Sequence, residues 1–289
     1  MADGDRIAKS ETCRTTACTG SPIKPAPGDA DVGHNQTIMN EWVINIDMEG
    51  FSYLWEREDR ILLSLGELMS AIFRIGQLCY SDYGDRLFVH QIGDGFIVKS
   101  DIHEENLKRP LSIAIALMQH VASTGRFAKA TIAEGDLPDI KGCYPREVMD
   151  NLGKDNRVRL GRGLMTIFPV MGTALINSIK VAKDSPRGPL LTLEASFLTR
   201  IPSTFPTKSL KGKKYDLLSV DWVHAESALL QDLKRKAVLA PASIASLETV
   251  LMNYCKEHDH DLPARWKANC RRLLRLPGFQ KATPASSIS

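Results

Sequence analysis

The chain has 289 residues, 43% hydrophobic and 25% charged, which allows a sizeable core and excludes a mainly disordered, collagen-like or coiled-coil protein. Its 37 basic and 34 acidic residues leave a formal net charge of +3, too small an excess to call for a specific nucleic-acid or membrane partner. No uncharged apolar run reaches the ~18 to 20 residues of a bilayer crossing, and the start MADGDRIAKSETCRTT lacks the apolar centre of a secretion signal, so a cytoplasmic protein is expected.

Residues 1–36, rich in Ser, Thr, Gly, Pro and Asp, bury too little to offset chain entropy and read as a mobile tail. A β-branched strand, Glu41-Trp-Val-Ile-Asn-Ile, then ends at Asp47-Met-Glu-Gly. From Arg60 to Cys79, apolar residues at Ile61, Leu65, Leu68, Met69, Ile72, Gly76 and Cys79 recur at the spacing of one helix face. Arg86–Ile92 and Phe96–Lys99 flank Gly93-Asp-Gly as a tight hairpin. A helix over Leu111–Val121 and a strand over Phe127–Ala133 follow, closing at Glu134-Gly-Asp. After a polar stretch containing Gly153, Gly161 and Gly163, a helix is predicted over Gly172–Lys183 and strands over Leu190–Leu193 and Tyr215–Val220, the latter preceded by a basic turn, Lys211-Gly-Lys-Lys. Residues 37–220 thus read as one domain and 221–289 as a helical extension broken at Pro241 and Pro263, with a frayed end. Cys13, Cys18, Cys79, Cys143, Cys255 and Cys270 form no C-x-x-C pair and no zinc spacing, and read as reduced thiols.

Chemistry concentrates on Asp47, at the end of the first strand, and Asp94, at the hairpin tip. Taken singly, each is ordinary strand-end or turn chemistry. If the hairpin lies beside the strand, the carboxylates converge and can bridge two divalent cations, an arrangement suited to phosphoryl transfer. The run Ile46-Asp47-Met48-Glu49-Gly50-Phe51-Ser52 resembles the D-I-x-G-F-[ST] motif of class III nucleotidyl cyclases, and Ile92-Gly93-Asp94-Gly95-Phe96 resembles their I-G-D-x-[FY] hairpin. Ile132-Ala-Glu-Gly-Asp136 and Lys211-Gly-Lys213 are similar to later strand-end and turn motifs of that family.

The resemblance implies a ferredoxin-like α+β domain with a mostly antiparallel sheet and two Mg2+ or Mn2+ ions per site, held by Asp47, Asp94 and the carbonyl of Met48. Phe51, Ser52 and a late lysine, matched by Lys213 with Lys211 and Lys214 close by, would hold a nucleoside triphosphate substrate. It also implies a homodimer whose partner supplies transition-state stabilisers, an Asn and an Arg on one helix face. Here that helix departs from the pattern: Ile176 stands at the asparagine position, Asn177 one place later, and Lys180 at the arginine position. The position four before Asp94, where the family carries Lys for adenine or Glu for guanine, is His90. Strand parity places Arg86, Phe88 and His90 on one face, so Arg86 and His90 could read a smaller base. With Val220-Asp-Trp-Val-His224 and Asp261-Leu-Pro-Ala-Arg-Trp-Lys267, the chain is similar to the pyrimidine cyclases of Pycsar anti-phage systems. That implies cyclic UMP or cyclic CMP, made with manganese on infection, acting on a separate effector protein. A purine cyclase of general signalling and a degenerate nucleotide-binding module are the alternatives. The run Glu257–Asp261 and the basic series from Arg265 to Arg275 read as a solvated loop and an exposed helix face.

Overall fold

The computed structural model describes residues 41–55, 60–82, 84–100, 103–136, 144–167 and 171–274. The segments expected to be a tail and a frayed end lie outside these, as do Cys13, Cys18 and Cys143, whereas Cys79, Cys255 and Cys270 are free thiols.

In chain order the elements are β1 (Glu41–Met48), α1 (Phe51–Leu54), α2 (Arg60–Cys79), β2 (Leu87–Ile92), β3 (Gly95–Ser100), α3 (Lys108–Ala122), β4 (Ala128–Gly135) and α4 (Arg146–Met149). They continue with β5 (Arg157–Leu160), β6 (Gly163–Thr166), α5 (Thr173–Asp184), β7 (Leu191–Glu194), a 3-10 turn (Ala195–Arg200), β8 (Thr207–Lys211), β9 (Asp216–Val220), α6 (Ala228–Lys236), α7 (Ile244–Glu257) and α8 (Ala264–Leu273). Seven strands form one sheet in the order β2-β3-β1-β4-β7-β9-β8, while β5 and β6 pair as a separate hairpin. Every neighbouring pair in the sheet is antiparallel except β4 with β7. The fold is α+β, with a large, mostly antiparallel sheet and helices.

Alternation along β1 sorts its side chains between two cores. Ile44, Ile46 and Met48 enter the main core, whereas Val43 joins Ile97, Ala133 and the α5 residues Ala174 and Leu175 on the other face. Over the main core lies α3, buried from Pro110 to Ala122 and apolar nearly all round, as a helix packed between layers must be. It starts three residues before the predicted Leu111 because Pro110, lacking an N–H, is tolerated in the first turn. The same core runs on through Trp222, Leu230, Leu251, Tyr254 and Trp266, so α6, α7 and α8 pack on the sheet's helical layer. Ser227 and Ser243 cap α6 and α7 by accepting the N–H of Leu230 and Ser246.

The α2 bounds are those the periodicity predicts, but Met69 is 43% exposed while Ile75 is buried, and Leu62, Leu63, Phe73 and Leu78 also face outward. Among the described residues, Ile61–Cys79 is the one helix long and apolar enough to cross a membrane by length and composition; here Ile61, Leu68 and Ile75 anchor one face of it in the core. The hairpin β5–β6 lies where a polar stretch is expected, and strand β8 lies just before the expected basic turn, in a segment for which no element is predicted. They are four or five residues long and mostly surface-facing, so they lack the apolar alternation that announces a strand.

Candidate active site

Asp47 is the seventh residue of β1, and its register partner on β3 is Gly95. Gly93 takes the positive φ, 64°, that a two-residue hairpin turn needs at its first position, and Asp94 follows it. The Gln91 side-chain amide closes this turn by donating to the Gly93 carbonyl at 3.0 Å. A Cβ at residue 95 would lie 3.2 Å from both the Asp47 Cβ and the Ile46 carbonyl, so glycine there lets the hairpin tip crowd against the end of β1. The acids are therefore neighbours across a strand pair. Asp47 keeps an exposed face, yet the protein around its other sides desolvates it and pushes its carboxyl up to about 6; Glu49 and Asp94 add to the rise and Lys129 opposes it. Lys129 stands opposite Asp47 on β4 and donates to the Ala182 carbonyl at 3.5 Å. Sequence reasoning passed over Lys129; its parity on β4 was the available signal.

Past Asp47 the chain turns at Gly50, φ 79°, into α1. Phe51, Ser52, Trp55, Leu62, Gly93 and Asp94 line an open cleft of about 620 Å³. Phe51 and Ser52 thus share one cleft with Asp94, beside Asp47.

Cross-strand rows place the expected base-reading residues. Asp47, Gly95 and Ile92 make one row, Asn45, Ile97 and His90 the next, and Val43, Lys99 and Phe88 the third. Side chains in such rows share a sheet face, so Phe88 and His90 lie on the face that carries Asp47. Phe88 is flanked by two cations, the Arg86 guanidinium 5.0 Å and the Lys99 ammonium 5.4 Å from its ring centre. Burial, and then Lys99, hold His90 below the ordinary imidazole value, which keeps it neutral near pH 7.

Three predicted residues lie apart from this cluster. On α5, Asn177 donates to the Glu134 carbonyl of β4 at 3.2 Å, which ties it to its own sheet, while Ile176 and Lys180 are exposed. Glu134, nearly buried, is paired with Arg200. Lys213 is exposed in the β8–β9 turn and is not among the charges that act most on Asp47. That turn spans 212–215; Lys211 is the last residue of β8. The turn is held by Asp184, at the end of α5, whose carboxylate accepts the N–H groups of Lys213 at 2.8 Å, Lys214 at 3.0 Å and Tyr215 at 2.9 Å. Burial works against the charge on Asp184, but these backbone donors outweigh it and hold the carboxyl below its usual value. Nothing in the sequence marked Asp184.

The donors fit a hard divalent cation: two carboxylates stand at adjoining ends of paired strands, and a cation would offset the desolvation, and the smaller repulsion from Glu49 and Asp94, that raise Asp47. Among the described residues no group of three or more His, Cys, Asp or Glu side chains is placed to hold a metal, so the remaining ligands would be backbone, water or phosphate oxygens, as is usual for Mg2+. The run 257–261, which sequence reading set aside, is the end of α7 and the turn after it, where Asp259 pairs with Lys267.

Neither protein-family models nor curated proteins give a match to the chain. Among solved structures it is similar to the guanylyl cyclase domain of the RhoGC fusion protein from the aquatic fungus Blastocladiella emersonii, at 16% identity and TM-score 0.44, covering 63% of this chain and 93% of that one. It is also similar to a bacterial light-regulated adenylyl cyclase, at 12% identity and TM-score 0.41, covering 69% and 58%. A third is a class III adenylyl cyclase-like ATP-binding protein from Pseudomonas aeruginosa, at 14% identity and TM-score 0.30, covering 74% and 40%. At such identities and scores these likenesses say nothing of what this chain binds.

Proposed function

We propose that the chain is a metal-dependent nucleotide cyclase that converts a pyrimidine nucleoside triphosphate, UTP before CTP, into its 3′,5′-cyclic monophosphate and diphosphate. The observation that carries this reading is the register of β1 with β3, which sets Asp47 against the Gly93-Asp94 turn beside the cleft lined by Phe51 and Ser52. In the reaction the ribose 3′ oxygen bonds to the α-phosphorus and gives its proton to water, while the bond from the α-phosphorus to the oxygen bridging it to the β-phosphate breaks and that oxygen leaves with the diphosphate. Asp47 and Asp94, with the Met48 carbonyl, would hold two Mg2+ or Mn2+ ions, which when bound supply charge neutralisation around the phosphates. The chain's own task is positioning. Phe51 and Ser52 border the phosphates, and Arg86 and His90 face the base from the sheet face that carries Asp47. A neutral His90 can accept as well as donate a hydrogen bond, which suits a pyrimidine edge with both kinds of group. Lys213 would reach the triphosphate of a second protomer's site, with Asn177 and Lys180 beside it. Exposed Met69, Phe73 and Val89, which line one open cleft between α2 and β2, favour a homodimer, since single chains seldom leave such side chains clustered in water. In this reading the enzyme works in the cytoplasm in anti-phage defence, its product acting on a separate effector.

The test is incubation of the purified protein with each of the four ribonucleoside triphosphates and Mn2+. Cyclic UMP or cyclic CMP is expected to dominate; dominant cyclic AMP or cyclic GMP overturns the pyrimidine reading. Asp47→Ala and Asp94→Ala should each lower the rate by about 10²–10³-fold, the equivalent of several kcal/mol of lost charge stabilisation. A second reading, a nucleotide-binding module without turnover, is favoured by the bond that ties Asn177 to Glu134 and by Lys180 standing where a planar guanidinium is expected. Nucleotide binding with no product from any of the four would establish it.

A further inference from the structure

Glu49 stands two residues past Asp47 and immediately before Gly50, at the position the cyclase-like motif leaves open. Its N–H donates to the Phe127 carbonyl at 2.9 Å, just before β4. Its carboxylate Oε1 accepts two further N–H groups, from the Gly188 backbone at 3.1 Å and from the Trp266 indole at 2.9 Å. Trp266 belongs to α8, 217 residues away in sequence, and is 3% exposed. Its ring is held in turn by Tyr254, with ring centres 5.8 Å apart, and by Phe127, at 6.4 Å. A cavity of about 320 Å³ adjoins this junction on one side, lined by Glu49, Gly50, Arg187, Tyr254, His258 and Trp266 among others. An indole N–H buried without an acceptor is costly, and so is a carboxylate without donors; each here supplies what the other needs.

We propose that Glu49 and Trp266 are positioning residues through which the C-terminal helices fix the segment from Asp47 to Phe51. The proposal rests on the reading of Asp47 as a metal-holding acid. The strut sets where the Asp47 carboxylate and the start of α1 stand, and takes no part in bond making. A change in how α7 and α8 pack would therefore be felt first at the metal acids, which makes the extension a control element of the site.

Three variants test this. Trp266→Phe keeps the ring and removes the donor; Glu49→Ala removes the acceptor; Glu49→Gln keeps an acceptor oxygen. The readouts are hydrogen exchange of the peptide covering 47–55, with a β9 peptide as reference, and Mn2+ affinity by electron paramagnetic resonance. Trp266→Phe and Glu49→Ala are each expected to speed exchange in 47–55 and leave β9 unchanged, and to weaken Mn2+ binding by about 10-fold or more, the usual effect of losing an outer-shell partner. Glu49→Gln should stay near wild type in exchange, and the Trp266→Phe/Glu49→Ala double variant should lose no more than Glu49→Ala alone, because that variant already removes the bond to Trp266 together with the one to Gly188. Wild-type exchange in Trp266→Phe, additive losses in the double variant, or faster exchange throughout the chain would overturn the proposal. A wild type that cyclises none of the four nucleotides refutes the cyclase reading separately, and the exchange data still decide the strut.

Discussion

Asp47 shows how a residue of the candidate site works against the fold that carries it. Its carboxyl is raised to about 6 by desolvation and by the nearby acids Glu49 and Asp94, against an unfolded value of about 4. The sign follows from proton linkage: the native state binds the proton more tightly, so this group's contribution to stability falls as pH rises from about 4 to 6, and the full penalty stands at pH 7. Asp47→Asn should therefore raise the melting temperature at pH 7 and leave it unchanged well below pH 4, as read by calorimetry without metal. Mn2+ should raise the melting point of the wild type at pH 7 and not that of Asp47→Asn, because the ion stabilises only where the carboxylate holds it. An equal metal effect on both proteins would place the ion elsewhere.

At the scale of elements, polar side chains add joints between distant segments to those made by the apolar core. His224, just after β9, has Nδ1 2.9 Å from an Asp221 carboxylate oxygen and Nε2 3.0 Å from Glu248 of α7. Burial alone would lower its value, but the two carboxylates prevail and hold it above the ordinary imidazole range. A raised histidine stabilises fully below its unfolded value of about 6.5, and that contribution disappears as pH rises through the higher folded value. The urea midpoint should accordingly drop between pH 6 and pH 8.5, and His224→Gln should flatten the drop; an unchanged profile would mean the pair of carboxylates does not hold the charge. Asp184 is a second joint of this kind, binding the turn that carries Lys213 to the end of α5. Long apolar elements such as α2 were legible because twenty residues of periodic pattern average out local noise. The β5–β6 hairpin and β8 were not, being short and solvated on most sides.

For the whole molecule, the main core, which runs from the sheet into α6, α7 and α8, makes the C-terminal helices part of the folding unit. In the proposed homodimer, each site draws Asp47 and Asp94 from one chain and Lys213 from the other. Asp47→Ala and Lys213→Ala proteins, each inactive alone, should then regain about a quarter of wild-type activity when mixed, because half the random pairs hold one intact site of two. No recovery after subunit exchange, with dimers confirmed by sedimentation, would show that each chain builds its site alone.

The sequence by itself determined which side chains carry charge and where the main elements run: the acid closing β1, the Gly-Asp-Gly tip, the long helix α2 and the breaks at Pro241 and Pro263. These are local matters of periodicity, turn chemistry and proline's missing donor. Tertiary structure alone decided that Asp47 pairs with Gly95 and so stands beside Asp94, that Asn177 is drawn onto Glu134, and that Trp266 reaches Glu49. Such contacts depend on strand order and on how helices pack over a shared core, which no local pattern of residues encodes.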